Sequence, residues 1–215
     1  PGILGSELWD ADGKVWPGTL ADGIFKFSEQ RLQRLLAPGL EPRSIIRKAA
    51  GVVKVYEPWI EILERLRSLD MGELMFSEVA GTLYTCPYDW RGPVEDAAQR
   101  LAVLLDSAIA QHGGQVRIHI AAHSLGGLVS RCYLQSGLYN ARAAFAAVKS
   151  LMTFGTPHRG APIALAGALG LHAAQFMNAE QTQRVANTTG YPGLYQIFPP
   201  QGDAVVWNRT RDGRL

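Results

Sequence analysis

Apolar residues recur at three- and four-residue spacing through two parts of the chain. In 93–112, Val94, Ala97, Ala98, Leu101, Leu104, Leu105 and Ala108 form one stripe, Pro93 suits a first turn and Gly113 marks a stop. That pattern predicts a helix lying on a sheet. In 58–69, Pro58 opens a second one, with Ile60, Leu63, Leu66 and Leu69 facing inward and Glu61, Glu64, Arg65 and Arg67 facing out. Short apolar runs at 82–86, 115–121 and 147–154, each followed by a turn, predict strands. Within the second, Arg117 and His119 alternate with Val116, Ile118 and Ile120, so one end of that strand is less covered than a fully buried one. Strands alternating with helices predict an α/β fold with a mostly parallel sheet and helices on both faces. Such a sheet binds ligands beyond the carboxyl ends of its strands.

At one strand end the chemistry becomes explicit. Ile120-Ala121-Ala122-His123-Ser124-Leu125-Gly126-Gly127 is an apolar run that breaks at Ser-x-Gly and passes into a helical pattern. A serine on a tight strand-to-helix turn has its Oγ exposed, and the N–H of the next residue, Leu125, points into the same space at the helix N-terminus. Gly126 and Gly127 keep the turn free of side chains, and Ala122 stands where G-x-S-x-G has its first glycine.

Composition narrows the remaining options. With 215 residues, 47% hydrophobic and 19% charged, the chain can build one sizeable core or one domain with a small insertion. No apolar run is long enough for a transmembrane helix. The net charge of +2 is scattered apart from Arg209, Arg211 and Arg214, which gives no case for a nucleic-acid partner. Cys86 and Cys132 have neither C-x-x-C nor zinc spacing, and His119 and His123 sit on a strand without a glutamate base, so no metal is expected. Phosphate-binding glycine loops are absent, so no cofactor is expected either. Compartment and oligomeric state are not readable.

Three further segments complete the picture: Pro1-Gly2-Ile3-Leu4-Gly5-Ser6, Tyr88-Asp89-Trp90-Arg91, and Phe154-Gly155-Thr156-Pro157-His158-Arg159-Gly160. With the elbow between the last two, the chain resembles the lecithin:cholesterol acyltransferase family of α/β-hydrolases over about residues 1–165, the last motif being shared more widely among lipases. The resemblance implies a serine acyl-enzyme mechanism on lipid or other esters. It also implies that the N–H of Ile3, in the opening Pro-Gly turn, joins that of Leu125 in the oxyanion hole. Asp89 and Arg91 read as an ion pair that fixes their loop, and Trp90 as bulk on a pocket wall. His158 reads as a pocket or structural residue rather than the general base.

The triad cannot be completed from this chain in the usual order. After Ser124 the only acids are Glu180, Asp203 and Asp212 and the only histidines His158 and His172, and no histidine follows either Asp. The expectation is an incomplete portion of a longer hydrolase, spanning 1–215, with the triad Asp and His outside it. Residues 7–55 are expected to form a lid-like insertion whose Trp9, Trp16, Phe25 and Phe27 either rim an acyl pocket, touch a lipid surface, or pack the insertion's own core. Residues 161–200 are expected to form a cap. Lipase, phospholipase and O-acyltransferase activities remain open. So do an esterase acting on non-lipid esters and a non-catalytic binding module that keeps the elbow as scaffold. For the enzyme readings, Trp9, Trp90 and His158 are the expected substrate contacts.

Overall fold

The computed structural model describes residues 1–18, 27–49, 53–66, 83–113 and 116–202. Two strands and two helices carry the expected α/β unit. Helix α3 (Val94–Gln111) buries Ala97, Ala98, Leu101, Ala102, Leu105 and Ala108, and places Glu95 and Asp96 in its first turn, where the helix dipole favours them. Each buried leucine on that stripe contributes about 1.5–3 kcal/mol of transfer free energy. Strand β6 (Ile118–His123) leads through Ser124 into α4 (Leu125–Gln135), which packs on α3, and β7 (Val148–Phe154) lies parallel to β6. Their register pairs Ile120 with Leu151, Ala122 with Thr153 and His123 with Phe154.

Helix α2 (Glu57–Leu66) begins close to the expected start. Ile60 is buried and Leu63 half-buried, while the side chain of Leu66 and residues 67–69 lie outside the described residues. Its Trp59 ring meets Phe154 edge-on at 4.3 Å, so α2 covers the carboxyl end of β7.

A mostly parallel sheet is not what the described residues form. Their parallel pairing is confined to β6 and β7. The run expected as a strand at 82–86 has its first residue outside the described set, and 83–86 carries no ladder. This stretch leads into a segment fixed by bonds to one residue instead, with Tyr88 N–H donating to Ser6 Oγ at 3.0 Å and Trp90 Nε1 to Ser6 O at 3.3 Å.

The segment expected as a long insertion carries its own secondary structure. Strands β1 (Ser6–Asp10), β2 (Gly13–Trp16) and β3 (Glu41–Ile45) form an antiparallel sheet in the order β2-β1-β3, with α1 (Glu29–Leu36) between β2 and β3 and a small hairpin, β4 (Lys48–Ala49) with β5 (Val53–Lys54), after it. The β1–β2 link is a tight turn ending at Gly13, φ +123°, and a link so short permits only antiparallel pairing. Ser28 caps α1 by accepting from Arg31 N–H.

Fully buried Trp16 joins this sheet to the rest. Its ring lies 5.4 Å from Phe27, 5.6 Å from Trp90 and 6.1 Å from Phe176, and its Nε1 donates to Leu4 O at 2.9 Å. Phe25 lies outside the described residues.

Residues 161–200 fold into α5 (Pro162–Ala168), α6 (Ala179–Ala186) and a 3₁₀ turn at Tyr195–Ile197. Asn178 and Gln181 form a capping box at the start of α6. Arg184 of α6 grips Glu29 of α1 through both terminal guanidinium nitrogens, and Gln181 Nε2 donates to Phe27 O at 2.7 Å.

Candidate active site

Ser124 stands between β6 and α4 at φ 52°, ψ −124°, a left-handed backbone that costs a non-glycine residue about 1–3 kcal/mol. Neighbouring bonds hold it there. Ser124 N–H donates to Phe154 O at 2.8 Å, tying the turn to the end of β7, and Gly127 N–H donates back to Ser124 O at 3.0 Å. Ser130 Oγ donates to Gly126 O, four residues back within α4, at 2.8 Å.

The absent side chains around the turn have identifiable neighbours. A Cβ on Gly126 would lie 2.5 Å from Pro1 O, and one on Gly127 would overlap the Thr156 side chain. A Cβ on Gly2 would lie 2.9 Å from Ser124 Cβ and 3.3 Å from Ser124 Oγ. The small residues thus make room for the opening turn and the Thr156 loop rather than for a neighbouring strand. Three segments quoted from the sequence, at 1–6, 120–127 and 154–160, meet at Ser124.

The opening turn has a definite shape. Gly5 N–H closes onto Gly2 O at 3.1 Å, and Leu4 takes the left-handed position at φ 60°. Ile3 N–H, inside this turn, has no acceptor among the described residues. Leu125 is 1% exposed, and as the first residue of α4 its N–H has no acceptor within the helix. Both donors sit beside Ser124 in sequence or across the Gly2 contact, an arrangement suited to a developing oxyanion.

Around them lies a cluster that no local spacing brings together, made of Tyr56, Tyr88 and His123. Tyr56 Oη accepts from Gly2 N–H at 2.8 Å and lies 2.8 Å from His123 Nδ1, and Tyr88 Oη donates to Pro1 O at 2.5 Å. Burial raises the pKa of Tyr56 and lifts that of Tyr88 well above the ordinary phenol value, so both remain hydroxyl donors. Burial lowers the pKa of His123, favouring the neutral ring.

The other expected site residues are placed as follows. Trp9 lies on β1, with Nε1 on Glu7 Oε2 at 3.2 Å and its ring under Lys14 Nζ at 5.2 Å and Arg43 at 4.9 Å. Trp90 is 2% exposed, packed on Trp16 and bonded to Ser6, so its ring is core rather than an open wall. His158 is exposed, and Arg131 Nη1 of α4 donates to its Nδ1 at 3.0 Å. Asp89 takes both Nε and Nη2 of Arg91, as a loop-fixing pair would. His119 bonds Ser150 Oγ, and no group of three His, Cys, Asp or Glu able to hold a metal occurs among the described residues. No described side chain hydrogen-bonds Ser124 Oγ. Asp203 and Asp212 lie outside the described residues.

The family model for lecithin:cholesterol acyltransferase matches residues 47–212, a span that holds the elbow, the Tyr88–Arg91 loop and the Thr156–Gly160 loop but not the opening turn. No curated protein and no solved structure matches the chain.

Proposed function

The chain belongs to the lecithin:cholesterol acyltransferase family, whose activity is of the lipid acyltransferase and phospholipase type, and from that premise we propose that Ser124 is the nucleophile of acyl transfer from a lipid ester. In this reading Ser124 Oγ attacks the ester carbonyl and its proton passes to a general-base histidine. The carbonyl oxygen, now an alkoxide, is held by the N–H groups of Ile3 and Leu125. One such donor is worth about 3–4 kcal/mol in the transition state. Collapse breaks the ester C–O bond, the leaving alcohol takes the proton back, and Ser124 carries the acyl group. Water or an acceptor alcohol then repeats the attack, with its proton taken and returned in the same way.

The observation that carries this reading is the strained backbone of Ser124 at a strand-to-helix turn with the opening turn against its side chain. A lipid substrate is supported by the family and by exposed apolar residues on and after α5, namely Ile163 (57%), Leu169 (54%) and Leu171 (76%).

The test is hydrolysis of p-nitrophenyl esters of short and long acyl chains by the natural protein in full, wild type against Ser124→Ala, with a fluorophosphonate probe for serine labelling. Activity and labelling lost in the variant, with rates rising with chain length, support the proposal. A rate confined to short chains favours an esterase on non-lipid esters. Absence of both activity and labelling in the wild type favours a binding module and defeats the proposal.

A further inference from the structure

The peptide unit between Pro1 and Gly2 is held at both of its polar ends. Its carbonyl oxygen accepts from Tyr88 Oη and its N–H donates to Tyr56 Oη. The residue that follows is Ile3. Fixing that peptide plane fixes the direction from which the chain enters the Gly2–Gly5 turn, and therefore where Ile3 N–H points. Tyr56 Oη is itself anchored on His123, the residue preceding Ser124, with the two rings edge to face at 5.7 Å between centroids. A phenol has one proton. As Tyr56 Oη accepts from Gly2 N–H, that proton is available to His123 Nδ1, which requires the imidazole proton on Nε2.

The space for the phenol is also provided for. A Cβ on Gly5 would lie 3.0 Å from Tyr56 Oη and 2.8 Å from Gly2 O, so any side chain at position 5 would push the hydroxyl and the turn apart. Tyr56 is held from behind by its own N–H on Ile46 O at 3.1 Å, immediately before α2 begins.

We infer that Tyr56 is a positioning residue of the acyl-transfer site, its hydroxyl bridging Gly2 N–H to His123 Nδ1 and so locking the oxyanion turn against the nucleophile elbow. The inference rests on the Ser124 reading above. Tyr56 touches no reacting atom in it. It acts through the Pro1–Gly2 peptide on the Ile3 donor, and Tyr88 secures the other end of the same peptide. Removing an oxyanion donor outright lowers kcat by about 10²–10³-fold, and a donor left in place but free to turn away lowers it by less, about 10–100-fold.

The deciding experiment measures kcat and KM for a long-chain p-nitrophenyl ester with the natural full-length protein as wild type, Ser124→Ala, Tyr56→Phe and Tyr88→Phe, with thermal unfolding followed by circular dichroism. The expected result is a kcat about 10–100-fold lower in Tyr56→Phe with KM within about twofold of wild type and an intact folded signal, and the same split in Tyr88→Phe. An inactive Ser124→Ala beside a Tyr56→Phe of full kcat overturns the Tyr56 role and leaves the Ser124 reading standing. Raised KM at constant kcat, or activity lost only in proportion to folded protein, overturns it as well. Full activity in Ser124→Ala defeats the underlying reading and the inference with it.

Discussion

Replacing Arg91 by Met should cost about 3–5 kcal/mol of folding stability, because the guanidinium is a buried junction between three separate segments. Its side chain is 1% exposed. Nε and Nη2 form a fork on the two oxygens of Asp89 at 2.9 and 2.6 Å, and Nη1 donates to Leu35 O and to Ala37 O, the carbonyls at the end of α1. Tyr191 stacks 4.3 Å from the guanidinium carbon, and the Arg91 carbonyl accepts from Gly193 N–H at 2.8 Å. Met fills much of the volume but leaves the end-of-helix carbonyls with no donor, at about 1–3 kcal/mol for each that water cannot reach. Asp89 is 28% exposed, so water recovers part of what its carboxylate loses. This places Asp89→Asn lower, at about 1–2 kcal/mol, since the fork weakens while the α1 carbonyls keep their donor. Lysine should fall between, because one ammonium cannot serve both the fork and the carbonyls. Equilibrium urea unfolding, followed by tryptophan fluorescence and by circular dichroism, gives the values. A loss below about 1 kcal/mol in Arg91→Met, or an equal loss in Asp89→Asn, would refute the view that the helix carbonyls, rather than the ion pair, carry the larger share.

Two other outcomes follow from surface features. Leu171→Asp should lower activity on long-chain esters presented in vesicles by about 30-fold while leaving short-chain hydrolysis in solution unchanged, since about 2 kcal/mol of apolar contact with lipid would be lost; vesicle co-sedimentation and the two rates check it. Hydrogen bonds from Arg34 hold the Asp10 carboxyl below its ordinary pKa of 3.8, so the pair stabilises the fold above that value, and the contribution fades as pH falls through the folded-state pKa. Asp10→Asn should therefore lose at most about 1 kcal/mol at neutral pH, with variant and wild type converging in acid when urea midpoints are compared.

How far the sequence could be read follows from the range of each signal. Helix α3, strands β6 and β7 and the elbow were legible because periodicity, Ser-x-Gly and a stop glycine are local. Helix α2 started within a residue of its expected place for the same reason. The antiparallel sheet was not legible. Its strands are four or five residues long, β3 carries Pro42, and bulges interrupt the register between Ser6 and Leu8 and between Leu8 and Trp9, so no clean alternation survives. Trp90 offered bulk beside a strand end, but nothing local told a core indole from a pocket wall. Tyr56 and Tyr88 reach the opening turn from 54 and 87 positions away, and no spacing rule spans that distance.

The Trp16 indole links the antiparallel sheet to the opening turn. Its N–H ends on Leu4 O, inside the turn that carries Ile3, while its ring is wedged among Phe27, Trp90 and Phe176. If 13–16 and 27–36 swung outward to admit a substrate, they would pull on Leu4 and expose a ring that is now fully buried, at about 3 kcal/mol or more. The described portion of this insertion thus braces the opening turn, and on the proposed reading an acyl chain would reach Ser124 along a route that leaves Trp16 at rest.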